Sequence, residues 1–376
     1  MKLDVSEDRI FCKYCKGEIS LDNQEQICGK CLEYLKEQRI ALYNDIMLFK
    51  SDVRFLEEIE RLLGVKKVPE LSYIDSNKFG FTHLSKRVTG LGLYKKKLKS
   101  IPKSIGNLTK LTGLYLGHNQ LTTLPESIIN LTRLKKLDLS FNLLTSLPES
   151  VTQLSNLSEL YLGHNQLTTL LESIERLAKL EVLYLDHNKF TTLPESITLF
   201  TKLRGLHLAN NQLIVIPESI TSLINLITLD LSFNQLINLP ECIKKLIRLK
   251  NLYLENNQLD YLPDCISQLK NTKWLYLGNN KLTTLPESIS QLTNLETLDL
   301  ENNQLKSLPD CILQLKNLKR LNLSNNQLTA LPERITQLSM LEFLFLDSKM
   351  ATVLPESLKE FHKRGGRIFI DGEIIS

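Results

Sequence analysis

The chain has few of the residues that mark several common classes of protein. Its 376 residues include one tryptophan, four methionines and seven cysteines, and its formal net charge is only +4. This balance argues against a dedicated nucleic-acid-binding or membrane-surface protein, because such proteins need an excess of basic charge. Seven unevenly placed cysteines are too few for a secreted disulfide framework. We therefore expect reduced thiols and a cytoplasmic location.

Long apolar runs and catalytic motifs are also missing. No run approaches the roughly 20 apolar residues that span a bilayer. The N-terminal segment MKLDVSEDRIFCKYC is acidic and has no apolar centre, so we expect no secretory signal there. The sequence has no G-x-x-x-x-G-K-[ST] phosphate loop, no H-E-x-x-H motif and no G-x-S-x-G turn. We expect a protein that is not an enzyme and has no small-molecule substrate.

The chain does have a repeat of 23 residues. The segment LTGLYLGHNQLTTLPESIINL, residues 111–131, returns with few changes along most of the sequence. One asparagine marks each return: Asn119, Asn142, Asn165, Asn188, Asn211, Asn234, Asn257, Asn280, Asn303 and Asn326. Self-similarity at a fixed period predicts a stacked array in which each unit contacts only its neighbours. We place about twelve such units over residues 88–363.

The pattern L-x-x-L-x-L-x-x-N-x-L resembles the leucine-rich repeat family. The L-P-E-S-I segment that follows it resembles the Ras-group, intracellular branch of that family. The resemblance implies an α/β solenoid, a curved horseshoe with a parallel β-sheet on its concave face and short helical turns on its convex face. It further implies a protein–protein interaction scaffold or adaptor in intracellular signalling, whose partner is of the small GTPase or phosphatase type.

Each position in one repeat has an expected role. In a short strand Leu114 points into the core and Tyr115 points to solvent, because alternate side chains lie on opposite faces. Asn119 is expected to bond turn backbone groups of its own repeat and of the neighbouring one, which would otherwise be buried unpaired. Pro125 suits the first position of a helical turn. Leu171 replaces this proline in a later repeat and predicts a looser turn there.

Four cysteines near the N-terminus form two CxxC pairs: Cys12, Cys15, Cys28 and Cys31. Two such pairs suit tetrahedral Zn²⁺, and this segment, residues 8–34, resembles a zinc ribbon. The site would be structural, with one zinc per chain, because four thiolate ligands leave no position for a catalytic water. A thioredoxin-like redox pair is the alternative, but it needs a single CxxC beside a strand and a helix.

Residues 35–87 are expected to form a helical segment and an N-terminal cap hairpin. Apolar residues recur at helical spacing over residues 32–63 and predict one long helix or two shorter ones. This helix would either cover the open end of the array or form a coiled-coil dimer. Phe79 or Phe81 is expected to seal the first layer of the sheet. Residues 364–376 are expected to form a C-terminal cap strand.

Partner recognition is expected on the concave face, since the leucine and asparagine positions are structural. Tyrosine and tryptophan offer large, stiff surfaces with a polar group, which suits protein recognition. The candidate residues are Tyr115, Tyr161, Tyr184, His207, Tyr253, Trp274, Tyr276, Asp299 and Arg320. Trp274 is the strongest candidate because it is the only tryptophan. The alternative interpretation is that Tyr and Asp are simply the ordinary strand residues of the array.

Three other kinds of function stay open at this point. A metal site is conceivable at three histidines on successive repeats: His164, His187 and His207. The second is a nucleic-acid-associated protein, in which the zinc ribbon contacts phosphates through lysines such as Lys13 and Lys16 while the repeats recruit a partner. The third is an enzyme regulator whose thiols sense redox state.

Overall fold

In a computed structural model the chain forms two compact units, Met1–Asp138 and Leu139–Ser376. The described residues are 4–6, 9–11, 18–19, 40–351, 358, 361 and 365–375. The four predicted zinc ligands lie outside the described residues: Cys12, Cys15, Cys28 and Cys31. Residues 32–39 also lie outside them. The zinc ribbon therefore stays a prediction.

The described part of the first unit begins with short strands. Three short antiparallel strands come first: β1 (Asp4–Ser6), β2 (Arg9–Phe11) and β3 (Glu18–Ile19). A hairpin of β4 (Ile40–Tyr43) and β5 (Ile46–Phe49) then leads into helix α1 (Lys50–Leu63).

The prediction of helix over residues 32–63 is wrong for residues 40–49 and confirmed for 50–63. The turn explains the hairpin. Asn44 and Asp45 have φ angles of 48° and 65°. A two-residue hairpin turn of type I′ needs this left-handed backbone, which Asn and Asp adopt more readily than most residues.

Helix α1 is held against the start of the repeats by one buried carboxylate. Asp52 is fully buried and accepts hydrogen bonds from the Val88 backbone N–H at 2.9 Å and from Arg87 Nε at 3.1 Å. Ser104, in the first 3₁₀ turn, donates a hydrogen bond to the Glu58 carboxylate. The apolar face of the helix, which includes Phe55, is buried. The helix therefore contacts both the hairpin that follows it and the first turn.

That second hairpin consists of β6 (Phe79–Leu84) and β7 (Arg87–Leu93), as expected. Phe81 is fully buried and its ring lies 5.7 Å from that of Tyr43, which confirms that a phenylalanine seals this layer. Strand β7 then pairs in parallel with β8 (Gly113–Tyr115), and β8 pairs with β9 (Lys136–Asp138).

The second unit continues the repeat with nine strands in parallel register, each paired with its neighbour at an offset of 23 residues. They are β10 (Glu159–Tyr161), β11 (Val182–Tyr184), β12 (Gly205–His207), β13 (Thr228–Asp230), β14 (Asn251–Tyr253), β15 (Trp274–Tyr276), β16 (Thr297–Asp299), β17 (Arg320–Asn322) and β18 (Phe343–Leu346). With β7, β8 and β9 they make the twelve repeat strands that the sequence predicts.

The second unit ends as predicted, with a strand after the last repeat. Strand β19 (Arg367–Ile370) pairs in parallel with β18, and β20 (Glu373–Ile375) pairs with β19 in the antiparallel sense.

Short helical turns connect the strands, and most are of the 3₁₀ type. They are Lys103–Asn107 and Glu126–Asn130 in the first unit, then α2 (Glu149–Thr152), Glu172–Arg176, Glu195–Leu199, Glu218–Ser222, Glu241–Lys245, Asp264–Gln268, Glu287–Gln291, Asp310–Gln314, Ile335–Gln337 and α3 (Ser348–Ala351).

Two details of these turns correct the sequence predictions. Pro217 precedes the first helical residue with an extended backbone (φ −64°, ψ 144°), and the corresponding prolines, including Pro125, do the same. The proline is therefore not the first residue of the turn. Leu171 adopts nearly the same angles (φ −65°, ψ 144°), and its carbonyl accepts the Ile174 N–H at 3.0 Å like that of a proline. The expected loosening is absent because leucine reaches this backbone conformation without strain.

The asparagine position is confirmed as the link between repeats. Asn211 Nδ2 donates to the carbonyls of Leu185 at 2.9 Å, Leu208 at 3.0 Å and Ala209 at 3.3 Å. Its Oδ1 accepts the Phe190 N–H at 3.1 Å. One buried amide thus satisfies backbone groups of two repeats, which would otherwise be desolvated without partners.

Candidate functional site

The third residue of each repeat strand in the second unit points outward, and these residues form a continuous row, called here the outer row. Its members are Tyr161, Tyr184, His207, Asp230, Tyr253, Tyr276, Asp299, Asn322 and Phe345, and each faces the next in register. The leucine before each of them is fully buried, so strand alternation places the row on the opposite face, as predicted.

The outer row begins with three stacked rings. Tyr161 and Tyr184 have ring centroids 5.0 Å apart, and those of Tyr184 and His207 are 4.0 Å apart with parallel planes. Burial lowers the pKa of His207 below its usual value, so this imidazole is neutral at physiological pH. Asp230 follows in the row and separates these rings from a second aromatic pair.

The second pair lies beside the most exposed candidate. The rings of Tyr253 and Tyr276 lie 5.2 Å apart at an interplanar angle of 16°. Trp274 begins the strand that Tyr276 ends, and its side chain is 42% exposed. Asp299 continues the row, and Arg320 lies over the Phe345 ring at 4.2 Å. The structure therefore brings five of the predicted residues together on four adjacent strands.

Tyr115 belongs to the first unit. It is half-buried at the end of β8. One strand earlier, the outer face is covered by residues 74–78, since a Cβ at Gly90 would lie 2.4 Å from Ile74 Cγ2 and one at Gly92 would lie 2.5 Å from the Lys78 carbonyl oxygen. The accessible outer face of this unit thus begins after β7.

The carboxylates of the outer row each use one oxygen locally. Asp230 Oδ1 accepts hydrogen bonds from the Ser232 N–H at 3.0 Å and from its hydroxyl at 2.7 Å. Asp299 Oδ1 accepts the Glu301 N–H at 3.0 Å in the same way. Neither aspartate forms an ion pair among the described residues, so both keep an unneutralised charge on this face.

Glu255 is the functional candidate that the sequence predictions miss. Its Oε2 atom is buried and has no hydrogen-bond partner among the described residues. Burial, reinforced by the charges of Asp230 and Asp299, raises the pKa of Glu255 to about 7. The available signal is its position two residues after Tyr253, where most other repeats carry Gly, Ser or Ala.

The predicted histidine set is only partly brought together. His164 and His187 join Asp186 with potential ligand atoms within 4.8 Å of one another, whereas His207 stacks on Tyr184 instead. The rings of His164 and His187 are stacked 3.8 Å apart at 16°. Nitrogen lone pairs lie in the ring planes, so two nearly parallel rings do not direct them at one point. This arrangement therefore disfavours a shared metal ion.

Three cysteines of the repeats are free thiols: Cys242, Cys265 and Cys311. Burial, together with a hydrogen bond to Glu241, raises the pKa of Cys265 to about 11. Burial and Glu287 raise that of Cys311 to about 12. Because the thiolate is the reactive form, these two residues are poor redox sensors.

Stacked 23-residue units with parallel strands in register and an accessible strand face define a solenoid of the binding-scaffold class. Comparison with known families gives the more specific assignment. The model described as "Leucine rich repeat" matches residues 86–144, 132–190 and 191–259, and "Leucine-rich repeat region" matches residues 264–363. The chain belongs to the leucine-rich repeat family.

Solved structures agree with this assignment. A leucine-rich repeat protein of Leptospira interrogans is 41% identical with a TM-score of 0.71, and the match covers 74% of this chain and 71% of that one. The plant peptide hormone receptor RGFR1, solved in complex with RGF2, is 26% identical with a TM-score of 0.55, over 79% of this chain and 55% of that one. An internalin (inlF) of Listeria monocytogenes is 22% identical with a TM-score of 0.62. That match covers 85% of this chain and 95% of that one, and it shows the fold alone. No curated protein matches the chain.

Leucine-rich repeat proteins are generally scaffolds for protein interactions, and no enzymatic family is indicated for this chain. Among the described residues, no helix has the length and apolar character needed to cross a membrane.

Proposed function

We propose that this protein is a non-enzymatic adaptor that binds a protein partner on the outer face of β14–β17. The observation that carries the proposal is the exposure of Trp274 beside the stacked pair Tyr253 and Tyr276. Stacking holds these rings in place, so little side-chain freedom is lost on binding. Tryptophan and tyrosine are also the residues most enriched at energetically dominant positions of protein interfaces.

The relatives support a protein ligand. RGFR1 is a peptide hormone receptor solved in complex with RGF2, and FLRT2 (LRR) is part of an octameric complex with Latrophilin 3 and Unc5D. The alternative, that tyrosines are ordinary strand residues, explains Tyr161 or Tyr184 but not Trp274, whose position is occupied by Asn251 and Thr297 in the two adjacent repeats.

We extend the proposal to the rest of the molecule on the sequence resemblance. The Ras-group pattern supports a cytoplasmic signalling role with a small GTPase or phosphatase as partner. The contacts of α1 with the hairpin and with Ser104 support a helical cap over the first repeat. The zinc ribbon at residues 8–34 would add one structural Zn²⁺.

A nucleic-acid partner is disfavoured on the outer face of the second unit. Asp230 and Asp299 would repel phosphates there. The other form of the nucleic-acid hypothesis places the contact with phosphates on the predicted zinc ribbon, residues 8–34. Salt-sensitive binding of nucleic acid that is lost when Lys13 and Lys16 are replaced by alanine in the full chain would favour it.

Affinity capture with the full chain as bait tests the proposed surface. The double variant Trp274→Ala, Tyr276→Ala should lose a partner that the wild type retains, with affinity at least about tenfold weaker. Tyr261→Ala with Met340→Ala is the matched control, since both side chains are equally exposed at 48% but lie outside the strands. Equal loss with the control variant, or full retention with the double variant, would contradict the proposal.

A further inference from the structure

Four consecutive members of the outer row form an acid–aromatic–aromatic–acid sequence. Asp230, Tyr253, Tyr276 and Asp299 face one another in register across β13–β16. Adjacent strands lie about 4.8 Å apart, so the two aspartates are separated by about 14 Å along the row. The tyrosine pair fills the interval between them.

The charge of this stretch is not balanced by the protein itself. Asp230, Glu255 and Asp299 form no ion pair among the described residues. The nearby cation is Arg320, whose guanidinium group lies over the Phe345 ring. Glu255 Oε2 is buried without a hydrogen-bond partner, and its carboxyl group holds its proton up to about pH 7 because of burial and the neighbouring aspartates. A cationic ligand would relieve this repulsion.

We propose that the partner presents an extended basic segment running along the outer row, with Lys or Arg residues at positions i and i+4 and an apolar residue at i+2. This inference rests on the proposed function and specifies the chemistry of its ligand. In an extended peptide, alternate side chains share a face and each residue advances about 3.3 Å, so positions i and i+4 are about 13 Å apart. That spacing matches the separation of Asp230 and Asp299.

The chemistry of the row suits such a segment. Each aspartate keeps Oδ2 for a partner while Oδ1 accepts a backbone N–H, and arginine pairs readily with a carboxylate held in this way. The residue at i+2 would lie over Tyr253 and Tyr276, where an apolar side chain packs on the rings. The exposed Trp274 lies on the same strand as Tyr276 and extends the apolar contact.

The test uses the full chain and fluorescein-labelled peptides in an anisotropy titration. The probe is Gly-Arg-Ser-Leu-Ser-Arg-Gly, which places two arginines four positions apart around a leucine. We expect it to bind with an affinity that falls as salt is added. Replacing both arginines by citrulline, which keeps the shape and removes the charge, should weaken binding by about tenfold or more. Moving the arginines to adjacent positions should weaken it by about threefold or more.

The protein variants make the assignment specific. The double variant Asp230→Asn, Asp299→Asn should bind the arginine peptide about tenfold or more weakly than the wild type does. These substitutions keep the local fold, because Asn322 occupies the same row and its Oδ1 accepts the Ser324 N–H at 3.2 Å. Asp264→Asn with Asp310→Asn is the control, since it removes the same charge from the first residues of two 3₁₀ turns. Thermal unfolding of every variant checks that the fold is intact.

Equal binding of the arginine and citrulline peptides, or equal weakening by the control pair, would overturn the inference. Its failure is distinguishable from failure of the proposed function. If Trp274→Ala, Tyr276→Ala abolishes capture of the natural partner while Asp230→Asn, Asp299→Asn leaves it unchanged, the surface is correct and the basic segment is wrong. If neither double variant affects capture, both proposals fail.

Discussion

Within the second unit, single asparagine side chains connect one repeat to the one before it. Asn211 makes four hydrogen bonds to backbone groups of two repeats, and all of them are buried. Replacing Asn211 by Leu leaves these groups unpaired. We expect the free energy of unfolding to fall by roughly 1–3 kcal/mol in a chemical denaturation experiment.

The neighbouring position supplies the control for this substitution. Gln212 is exposed, and its counterpart in another repeat is Leu143, so the array already accepts leucine there. Gln212→Leu should change stability by less than about 0.5 kcal/mol. A neutral result for Asn211→Leu would show that water or a backbone shift can replace the amide.

Glu255 should make stability depend on pH. Its folded-state pKa of about 7 lies above the ordinary value of 4.5, so the folded state binds this proton more tightly than the unfolded state. The resulting stability is present below about pH 4.5 and is lost as the pH rises to about 7. Glu255→Gln should therefore be more stable than wild type at pH 8 by about 1–2 kcal/mol, allowing for solvent screening.

Thermal unfolding at pH 5 and at pH 8 measures this difference. The advantage of Glu255→Gln should shrink at pH 5, where the wild-type carboxyl is already protonated in the folded state. Glu218→Gln, at an exposed residue that begins a 3₁₀ turn, is the control and should show no such change. An equal effect at both pH values would argue against the raised pKa.

At the scale of residues, the sequence predicts the repeat positions well and their exceptions poorly. The leucine and asparagine roles follow from periodicity and from the need to pair buried backbone groups. The state of Glu255 does not, because its burial and its pKa depend on Asp230 and Asp299, which come from repeats on either side. The prediction for Leu171 is wrong for a different reason. Proline favours the extended backbone conformation at this position, but leucine adopts it too.

At the scale of elements, the strands and turns of the repeats follow the predicted order, and the main error is at the hairpin of β4 and β5. Both strands are uninterrupted apolar runs, IALY and IMLF, and periodicity alone does not distinguish such a run in a strand from one in a helix. The Asn44-Asp45 pair is the local signal for a two-residue turn. Helix α1 follows from the sequence because it is longer and ends at Gly64, which has a left-handed φ of 64°.

Asp52 is expected to couple helix α1 to the first repeat. Asp52→Ala removes a buried carboxylate and leaves both the Val88 N–H and the Arg87 guanidinium without their partner. We expect a loss of about 3 kcal/mol in the free energy of unfolding of this unit. Hydrogen exchange should show faster exchange in residues 50–63 and at Val88.

Glu57→Ala on the exposed side of the same helix is the matched control. It should leave exchange at Val88 unchanged, because Glu57 is exposed, whereas Asp52 is buried against the Val88 backbone. Unchanged exchange in Asp52→Ala would mean that apolar packing of Phe55 and Leu56 alone holds the helix in place.

At the scale of the whole molecule, metal content tests the N-terminal prediction. The purified full chain should contain one zinc per chain, held by the two CxxC pairs. Cys12→Ser with Cys28→Ser should remove it, whereas Cys242→Ser, at a free thiol of the repeats, should not. About one zinc ion per ten chains is taken as the background of the metal analysis. A zinc content below that level after gentle purification would contradict the zinc ribbon.

The central claim concerns where the molecule binds its partner. Hydroxyl-radical footprinting of the full chain, with and without a partner obtained by affinity capture, measures this directly at aromatic side chains. Trp274 and Tyr261 have similar exposure, 42% and 48%, but only Trp274 lies on the strands. The proposed function predicts that the partner protects Trp274 from oxidation and leaves Tyr261 unchanged. Protection of Tyr261 with no change at Trp274 would contradict it.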